Sequence, residues 1–159
     1  MQGPGAQGTW YRLHVSLELL KLPVQEWLIT DAHVGESLGH FHFGPGMIVV
    51  ADRGYVHPQR LVETHRAGAQ WVVRVNTAVP LFDSDGQVLD VVAVLKQAQA
   101  AGPVQSVSCA AQVGPAGGAA RRAGYLHAVP LAPEQAAAVR RRRRRQASKK
   151  GKTLKAKTL

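Results

Sequence analysis

The sequence is 159 residues long, which is enough for one domain of ordinary size and too short for two comfortable ones. Hydrophobic residues make up 45% and charged residues 19%, and no stretch approaches the ~18 consecutive apolar residues of a transmembrane helix, so a disordered chain and a membrane protein are both disfavoured. Cys109 is the only cysteine, which excludes an intramolecular disulfide and a cysteine-based zinc site. The N-terminus lacks a signal-peptide pattern, so we expect a cytoplasmic protein.

The positive charge is concentrated at the C-terminal end. The chain has 20 Lys and Arg residues against 10 Asp and Glu, a formal net charge of +10. Eleven of the basic residues and none of the acidic ones lie in residues 140–159, which leaves nine basic and ten acidic side chains in residues 1–139. A polyanionic partner is therefore expected to bind mainly through this C-terminal segment.

The first half of the chain shows the pattern of strands around one helix. Polar and apolar residues alternate over 12–19, which predicts a half-buried strand, and residues 26–30 are its expected hairpin partner. The short apolar run 47–51 predicts a strand buried on both faces. Pro58 at a first helical position and Gly68 as a stop predict a helix of about ten residues.

Further strands and helices are expected downstream. Residues 35–38 are the possible start of a short helix, and residues 70–75 predict a strand. In the second half, a turn is expected at 83–86, a helix over 88–100 and strands over 103–110 and 122–130. The same criteria predict a basic helix that begins at Pro133. The fold class is therefore α/β, with a mixed sheet.

Asp52 stands at the C-terminal end of the predicted buried strand. Open α/β sheets place their chemistry beyond the carboxyl ends of their strands, and a hard cation such as Mg²⁺ needs oxygen ligands held on a rigid element. The alternative is that Asp52 is a turn residue whose side chain caps the helix near Pro58.

Five segments carry a resemblance to a known family. They are residues 8–14 (Gly-Thr-Trp-Tyr-Arg-Leu-His), 28–32 (Leu-Ile-Thr-Asp-Ala), 35–38 (Gly-Glu-Ser-Leu), 51–55 (Ala-Asp-Arg-Gly-Tyr) and 68–76 (Gly-Ala-Gln-Trp-Val-Val-Arg-Val-Asn). In their order and rough spacing they resemble the central part of bacterial insertion-sequence transposases of the IS-four type, which are DDE enzymes with a ribonuclease-H-like fold. The resemblance extends over most of residues 3–150.

The resemblance implies a role for Asp52 and a division of the chain. It assigns Asp52 as the second acid of the catalytic triad and as a Mg²⁺ ligand. It also implies a partial ribonuclease-H-like core over 1–78, an insertion subdomain over 79–131 and a basic helix and tail over 132–159. The first acid belongs upstream of Gly3, and Glu134 does not match the third, so we expect a truncated and inactive chain.

The candidate DNA-binding residues are basic. Arg74 is a candidate phosphate contact by similarity to DDE transposases, with a surface ion pair to Glu63 or Asp31 as the alternative. Six consecutive arginines must surround a helix completely, so this helix is not expected to pack into a core, and its solvated surface is suited to DNA phosphates. The candidate residues in it are Arg140, Arg141, Arg142, Arg143, Arg144, Arg145, Lys149 and Lys150.

The resemblance implies the function of a transposase, with metal-dependent cleavage and strand transfer at transposon ends in the bacterial cytoplasm. One alternative is a noncatalytic DNA-binding chain that interferes with an intact copy of the transposase. Another is an RNA-binding protein with a basic tail, although residues 140–159 hold no aromatic side chain on which a base could stack. No membrane partner is expected.

Other singled-out residues have simpler interpretations. The spacing of His33, His40 and His42 is weak evidence for a metal site, because such spacing is common by chance. The tryptophans Trp10, Trp27 and Trp71 are expected to pack in the core or at sheet edges. Glu36 occupies a recurrent position of the family, and its role does not follow from the sequence.

Overall fold

A computed structural model describes residues 10–100, 102, 105–115 and 120–149. The chain contains both helices and short strands, which confirms the α/β composition predicted from the sequence. The elements are β1 (Tyr11–Leu17), β2 (Val24–Asp31), β3 (Ile48–Ala51), α1 (Pro58–Arg66), β4 (Gln70–Val73), α2 (Val91–Ala100), β5 (Val107–Val113), β6 (Arg122–Ala128) and α3 (Pro133–Lys149).

The strands form three separate two-stranded sheets. β1 pairs with β2 and β5 with β6, both antiparallel, whereas β3 and β4 are parallel. The prediction of one mixed sheet was therefore wrong for the part of the chain that the structure describes, because the parallel and antiparallel pairs share no strand. The pattern of hydrophobic residues predicts where each strand lies in the sequence. It does not predict which other strand pairs with it.

The hairpin of β1 and β2 is covered on its polar face. His14 is buried against the following loop, whereas Leu13 and Val15, which point to the other side of β1, are exposed. Trp27 of β2 is 66% exposed, so its predicted packing role was wrong, and the same holds for Trp10. Alternation shows that a strand has two different faces, but it does not say which face the rest of the chain covers.

α1 covers one face of the parallel pair β3–β4. Leu61 is buried in a core with Leu38, Val56 and Val113, and Trp71 of β4 packs against this core and donates its indole N–H to the carbonyl oxygen of Leu61 at 3.1 Å. The opposite face of β3 is exposed. The prediction that residues 47–51 are buried on both faces was therefore wrong, because a single helix covers only one side of two strands.

The ends of α1 follow the sequence signals. Pro58 lies in the first turn, where its missing N–H removes no helical hydrogen bond, and Gly68 ends the helix with a φ of +90° that favours glycine. The residue before the helix is His57, and it makes no side-chain capping bond. The alternative role of Asp52 as the cap of this helix was therefore wrong.

The loop between β2 and β3 is less helical than expected. Instead of a helix beginning at residues 35–38, it holds one 3₁₀ turn, Leu38–His40, whose start is capped by Ser37 through a hydrogen bond from the Gly39 N–H at 3.1 Å. The Leu38 side chain is buried in the core under α1, so this short turn anchors the loop against the helix.

The second half forms a smaller core around β5 and β6. Val94 of α2 packs against Ala111 and Leu126 from the two strands. The predicted turn at 83–86 is present and is held by the Asp83 carboxylate, which accepts the N–H groups of Asp85 and Gln87. α2 and β5 begin later than predicted, and residues 103 and 104 of the predicted strand lie outside the described residues.

The buried position of Leu61 leads to a stability prediction. Leu61→Ala, at a site that is 1% exposed, should lower the free energy of unfolding by about 2–5 kcal/mol, because it leaves a cavity under α1. Leu20→Ala, at a site that is 92% exposed, is the matched control and should change it by about 0.5 kcal/mol or less. Urea unfolding followed by circular dichroism measures both. Equal effects of the two changes would contradict the packing described here.

Candidate functional site

Asp52 lies immediately after β3, where the chain turns towards α1. Its Oδ1 accepts the N–H of Arg53 at 2.7 Å, and it thereby caps the 3₁₀ turn Arg53–Tyr55. The carboxylate is exposed at the carboxyl end of a parallel strand, as the sequence predicted. Its position is therefore that of a strand-end acid, and the capping bond holds it in one orientation.

Arg74 is brought to Asp52 by the pairing of the two strands. Ala51 of β3 pairs with Val73 of β4, so the residues that follow them emerge at the same edge. Arg74 Nε lies 2.7 Å from Asp52 Oδ1, and Nη2 donates to Oδ2 at 3.1 Å. This two-pronged ion pair engages both oxygens of the carboxylate.

The alternative ion-pair partners of Arg74 were wrong. Glu63 is bound by Arg60 at 2.6 Å, one turn away on the same helix, and Asp31 lies 4.0 Å from His33 in its own loop. The partner of Arg74 could not be predicted from the sequence, because Asp52 and Arg74 are 22 positions apart. They meet through the parallel pairing of β3 and β4.

Glu36 contacts the turn that follows Asp52. Its carboxylate occupies the space next to the Gly54 Cα that a side chain would fill, so position 54 has no room for a Cβ unless Glu36 moves. The backbone carbonyl of Glu36 accepts the Nε2–H of His57 at 2.8 Å. Burial, and secondarily the charge of Glu36, raises the pKa of Tyr55. Glu36 is thus a neighbour of the turn that Asp52 caps. The Gly-Glu-Ser-Leu segment does not predict this proximity.

The three singled-out histidines do not converge. His33 lies beside Asp31, His42 Nδ1 is 2.8 Å from Glu26 Oε2, and His40 Nε2 donates to the Gly35 carbonyl. Across the described residues, no group of three or more His, Cys, Asp or Glu side chains is placed to hold a metal ion. In the part of the chain that the structure describes, Asp52 therefore does not belong to a group of three such side chains.

The basic residues of α3 form the second candidate site. Arg140, Arg141, Arg142, Arg143, Arg144, Arg145 and Lys149 are exposed, and no described residue of the helix is buried. Arg141, Arg142, Arg145 and Lys149 line one groove along the helix. Glu134 in the first turn and the basic residues towards the C-terminus both favour the helix dipole. Lys150 lies outside the described residues.

The comparisons with known proteins add no relative. No protein-family model, no curated protein and no solved structure matches this chain. Among the residues that the structure describes, no helix is both long enough and apolar enough to cross a membrane. The functional argument therefore depends on the two sites and on the sequence segments themselves.

His14 of β1 is a buried titratable group that packs against the loop containing His40. Its Nε2 is 2.9 Å from the Thr30 hydroxyl, which donates its own hydrogen to the Asp31 carbonyl and so accepts from Nε2–H. Its Nδ1 has no hydrogen-bond partner in the described part of the chain, and the His40 ring lies 4.5 Å away. Burial, then the charges of His40 and Arg12, lower the pKa of His14, while Glu36 opposes them.

This arrangement predicts an acid-sensitive fold. Since the pKa of His14 is lowered in the folded state, the unfolded state binds more protons as the pH falls through and below the ordinary value of 6.5. The free energy of unfolding should therefore be higher at about pH 7.5 than at about pH 5.5, and His14→Gln should reduce this difference.

Urea unfolding at the two pH values measures the effect. His33→Gln removes a histidine whose side chain is 99% exposed and serves as the control for the loss of an imidazole as such. A pH dependence that is the same in His14→Gln as in the wild-type chain would show that His14 is not its source.

Proposed function

We propose that this chain is a DNA-binding part of a DDE transposase of the IS-four type, which binds duplex DNA through α3 and does not cut DNA unaided. The observation that carries the proposal is the charge of α3. Six consecutive arginines are exposed on all sides of one helix, whereas residues 1–139 are nearly neutral. The transposase family is inferred from the five sequence segments.

The geometry of α3 supports binding to a phosphate backbone. A base-specific contact needs a few side chains fitted to the edges of base pairs, whereas phosphate contacts need exposed cations on a stable support. Arg guanidinium groups also bind phosphate oxygens through two parallel hydrogen bonds. Arginines on every side of α3 can meet phosphates in many orientations, so the proposed binding is largely independent of sequence.

The described part of the basic segment favours DNA duplexes over single strands. Proteins that bind single-stranded RNA or DNA commonly stack bases on aromatic side chains. Residues 140–149 contain Arg, Lys, Gln, Ala and Ser, and no aromatic residue. The RNA-binding alternative therefore has no such stacking platform beside the cations.

The order of the first elements supports the proposed ribonuclease-H-like core. An antiparallel hairpin precedes a parallel β3–α1–β4 unit, and Asp52 and Arg74 share the carboxyl edge of that unit. In the fold that the resemblance implies, a further strand lies between those corresponding to β1 and β3. The separation of these strands into two sheets is compatible with that topology.

The described residues do not fit a pair of Mg²⁺ ions. Two-metal catalysis needs several carboxylates around ions about 3.5–4 Å apart. Here both oxygens of Asp52 are bound by Arg74, and the Glu36 carboxylate lies against Gly54. A chain with this arrangement can occupy DNA without cutting it, which favours interference with an intact transposase copy over independent activity.

DNA binding should depend on the six arginines of α3. Replacing residues 140–145 by glutamine should weaken binding to a duplex at low salt by at least about tenfold, because six of the eleven cations of residues 140–159, each able to release a counterion, are removed. For the wild-type chain, log affinity should fall with log salt concentration with a slope of up to about −5, which corresponds to six phosphate contacts. Fluorescence anisotropy with a labelled duplex at several salt concentrations measures both quantities.

The control neutralises two exposed arginines outside α3. Arg53→Gln with Arg66→Gln should leave the affinity and the salt slope within about twofold of wild type, since these side chains lie outside the basic helix. Undiminished affinity after the change in α3 would refute the proposed site. Stronger binding to single-stranded RNA than to the duplex would favour the RNA-binding alternative.

Catalysis should be absent from the isolated chain. Because Asp52 is paired with Arg74 and lacks partner carboxylates in the described residues, the purified protein should neither nick nor join DNA in Mg²⁺ above background. A supercoiled-plasmid assay detects a single nick. Asp52→Asn should leave DNA binding unchanged, and Mg²⁺-dependent cleavage that disappears in this variant would contradict the noncatalytic proposal.

A further inference from the structure

One face of the β1–β2 hairpin is apolar and exposed. The residues on it belong to cross-strand pairs, since Leu13 lies opposite Ile29 and Val15 opposite Trp27. The members of such a pair point to the same side of the sheet. The exposed apolar side chains of this surface, which we call the hairpin face, are Tyr11, Leu13, Val15, Leu17, Trp27 and Ile29.

The hairpin face is large enough for a stable interface. On the scale of the 150–250 Å² that one aromatic side chain buries, its six side chains offer on the order of 700 Å² of exposed surface. This is close to the roughly 800 Å² that each partner contributes to an interface of standard size. The largest apolar patch on a typical monomeric protein is about 300–600 Å², and larger exposed patches commonly mark interaction sites.

The undescribed residues of this sequence supply little apolar material to cover the face. Their large apolar side chains are Met1, Val104, Leu154 and Leu159, and these are scattered among Gly, Pro, Ala, Gln, Thr and Lys. The described residues leave the face open. These residues therefore do not supply an occupant of matching apolar area.

We propose that the hairpin face binds the hairpin face of a second copy of this chain, so that two sheets stack face to face in a symmetric dimer. This proposal is independent of DNA binding by α3. The centre of the face, formed by the pairs Leu13–Ile29 and Val15–Trp27, carries no charged side chain, and Asp31 lies at one end, opposite Tyr11, so the centre requires no partner of opposite charge. An uncharged apolar surface of this size is buried well by an identical one.

The central pair of the face is complementary in size under two-fold symmetry. Trp27 is a large side chain and 66% exposed, whereas Val15, its cross-strand partner, is small and 38% exposed. A two-fold axis parallel to the strands places β1 of one copy over β2 of the other. Each Trp27 then lies opposite Val15 of the second copy, with a large side chain against a small one at both equivalent positions.

The β3–β4 pair offers a smaller apolar surface and provides the control. Its uncovered side exposes Ile48, Val50 and Val72, with no aromatic residue among them. Ile48 is 69% exposed, which is close to the exposure of Trp27. Trp27→Lys and Ile48→Lys therefore introduce the same charge at comparably exposed strand positions, and only the first lies in the proposed interface.

The experiment measures the mass of the 159-residue chain in solution. Sedimentation equilibrium, with enough salt to screen the basic helix, should show a dimer for the wild-type chain. Trp27→Lys should weaken dimerisation by at least about a hundredfold, because it buries an unpaired charge at the centre of the interface. Ile48→Lys should retain the dimer within about threefold.

A second measurement, on the wild-type chain, tests dimerisation even if the Trp27→Lys variant misfolds. If dimerisation stabilises the folded state, the melting temperature should rise with protein concentration, and it should do so equally in Ile48→Lys. A monomeric wild-type chain with a concentration-independent melting temperature overturns the proposal. So does a dimer that Ile48→Lys abolishes and Trp27→Lys preserves, or growth into open-ended aggregates without a dimer.

Discussion

The parallel pairing of β3 with β4 is the constraint on which the first half of the structure depends. It aligns the ends of two strands that are separated by the whole of α1, and it thereby brings Asp52 and Arg74 together. α1 is held over the pair by Leu61 and by the indole N–H of Trp71. Loss of this packing would disturb the strand alignment that brings Asp52 and Arg74 into contact.

Much of the secondary structure could be predicted from the sequence, since it depends on local signals. Pro58 and Gly68 delimit α1 because the covalent geometry of these two residues restricts the helix wherever they occur. The position of Asp52 at a strand end follows from the apolar run before it. The Asp83 turn likewise depends on a side chain that bonds its own neighbouring backbone.

Tertiary relations could not be predicted, because they depend on which surfaces meet. The alternation of polar and apolar residues predicts that β1 has two different faces. The polar face is the covered one, because His14 packs against the loop that contains His40. The partner of Arg74 was missed for the same reason. The proximity of Glu36 to Gly54 needs two loops to meet, and the only sequence signal was a glycine in the Asp-Arg-Gly-Tyr segment.

α3 differs from α1 and α2 because none of its described residues is buried, and the spacing of its charges has a consequence of its own. An α-helix rises about 1.5 Å per residue, so six successive arginines place one positive charge per 1.5 Å of axis. Duplex DNA carries one negative charge per about 1.7 Å of its axis. The linear charge densities of the two helices are thus nearly equal and opposite, so that aligned side by side over a few base pairs each could neutralise the other almost charge for charge.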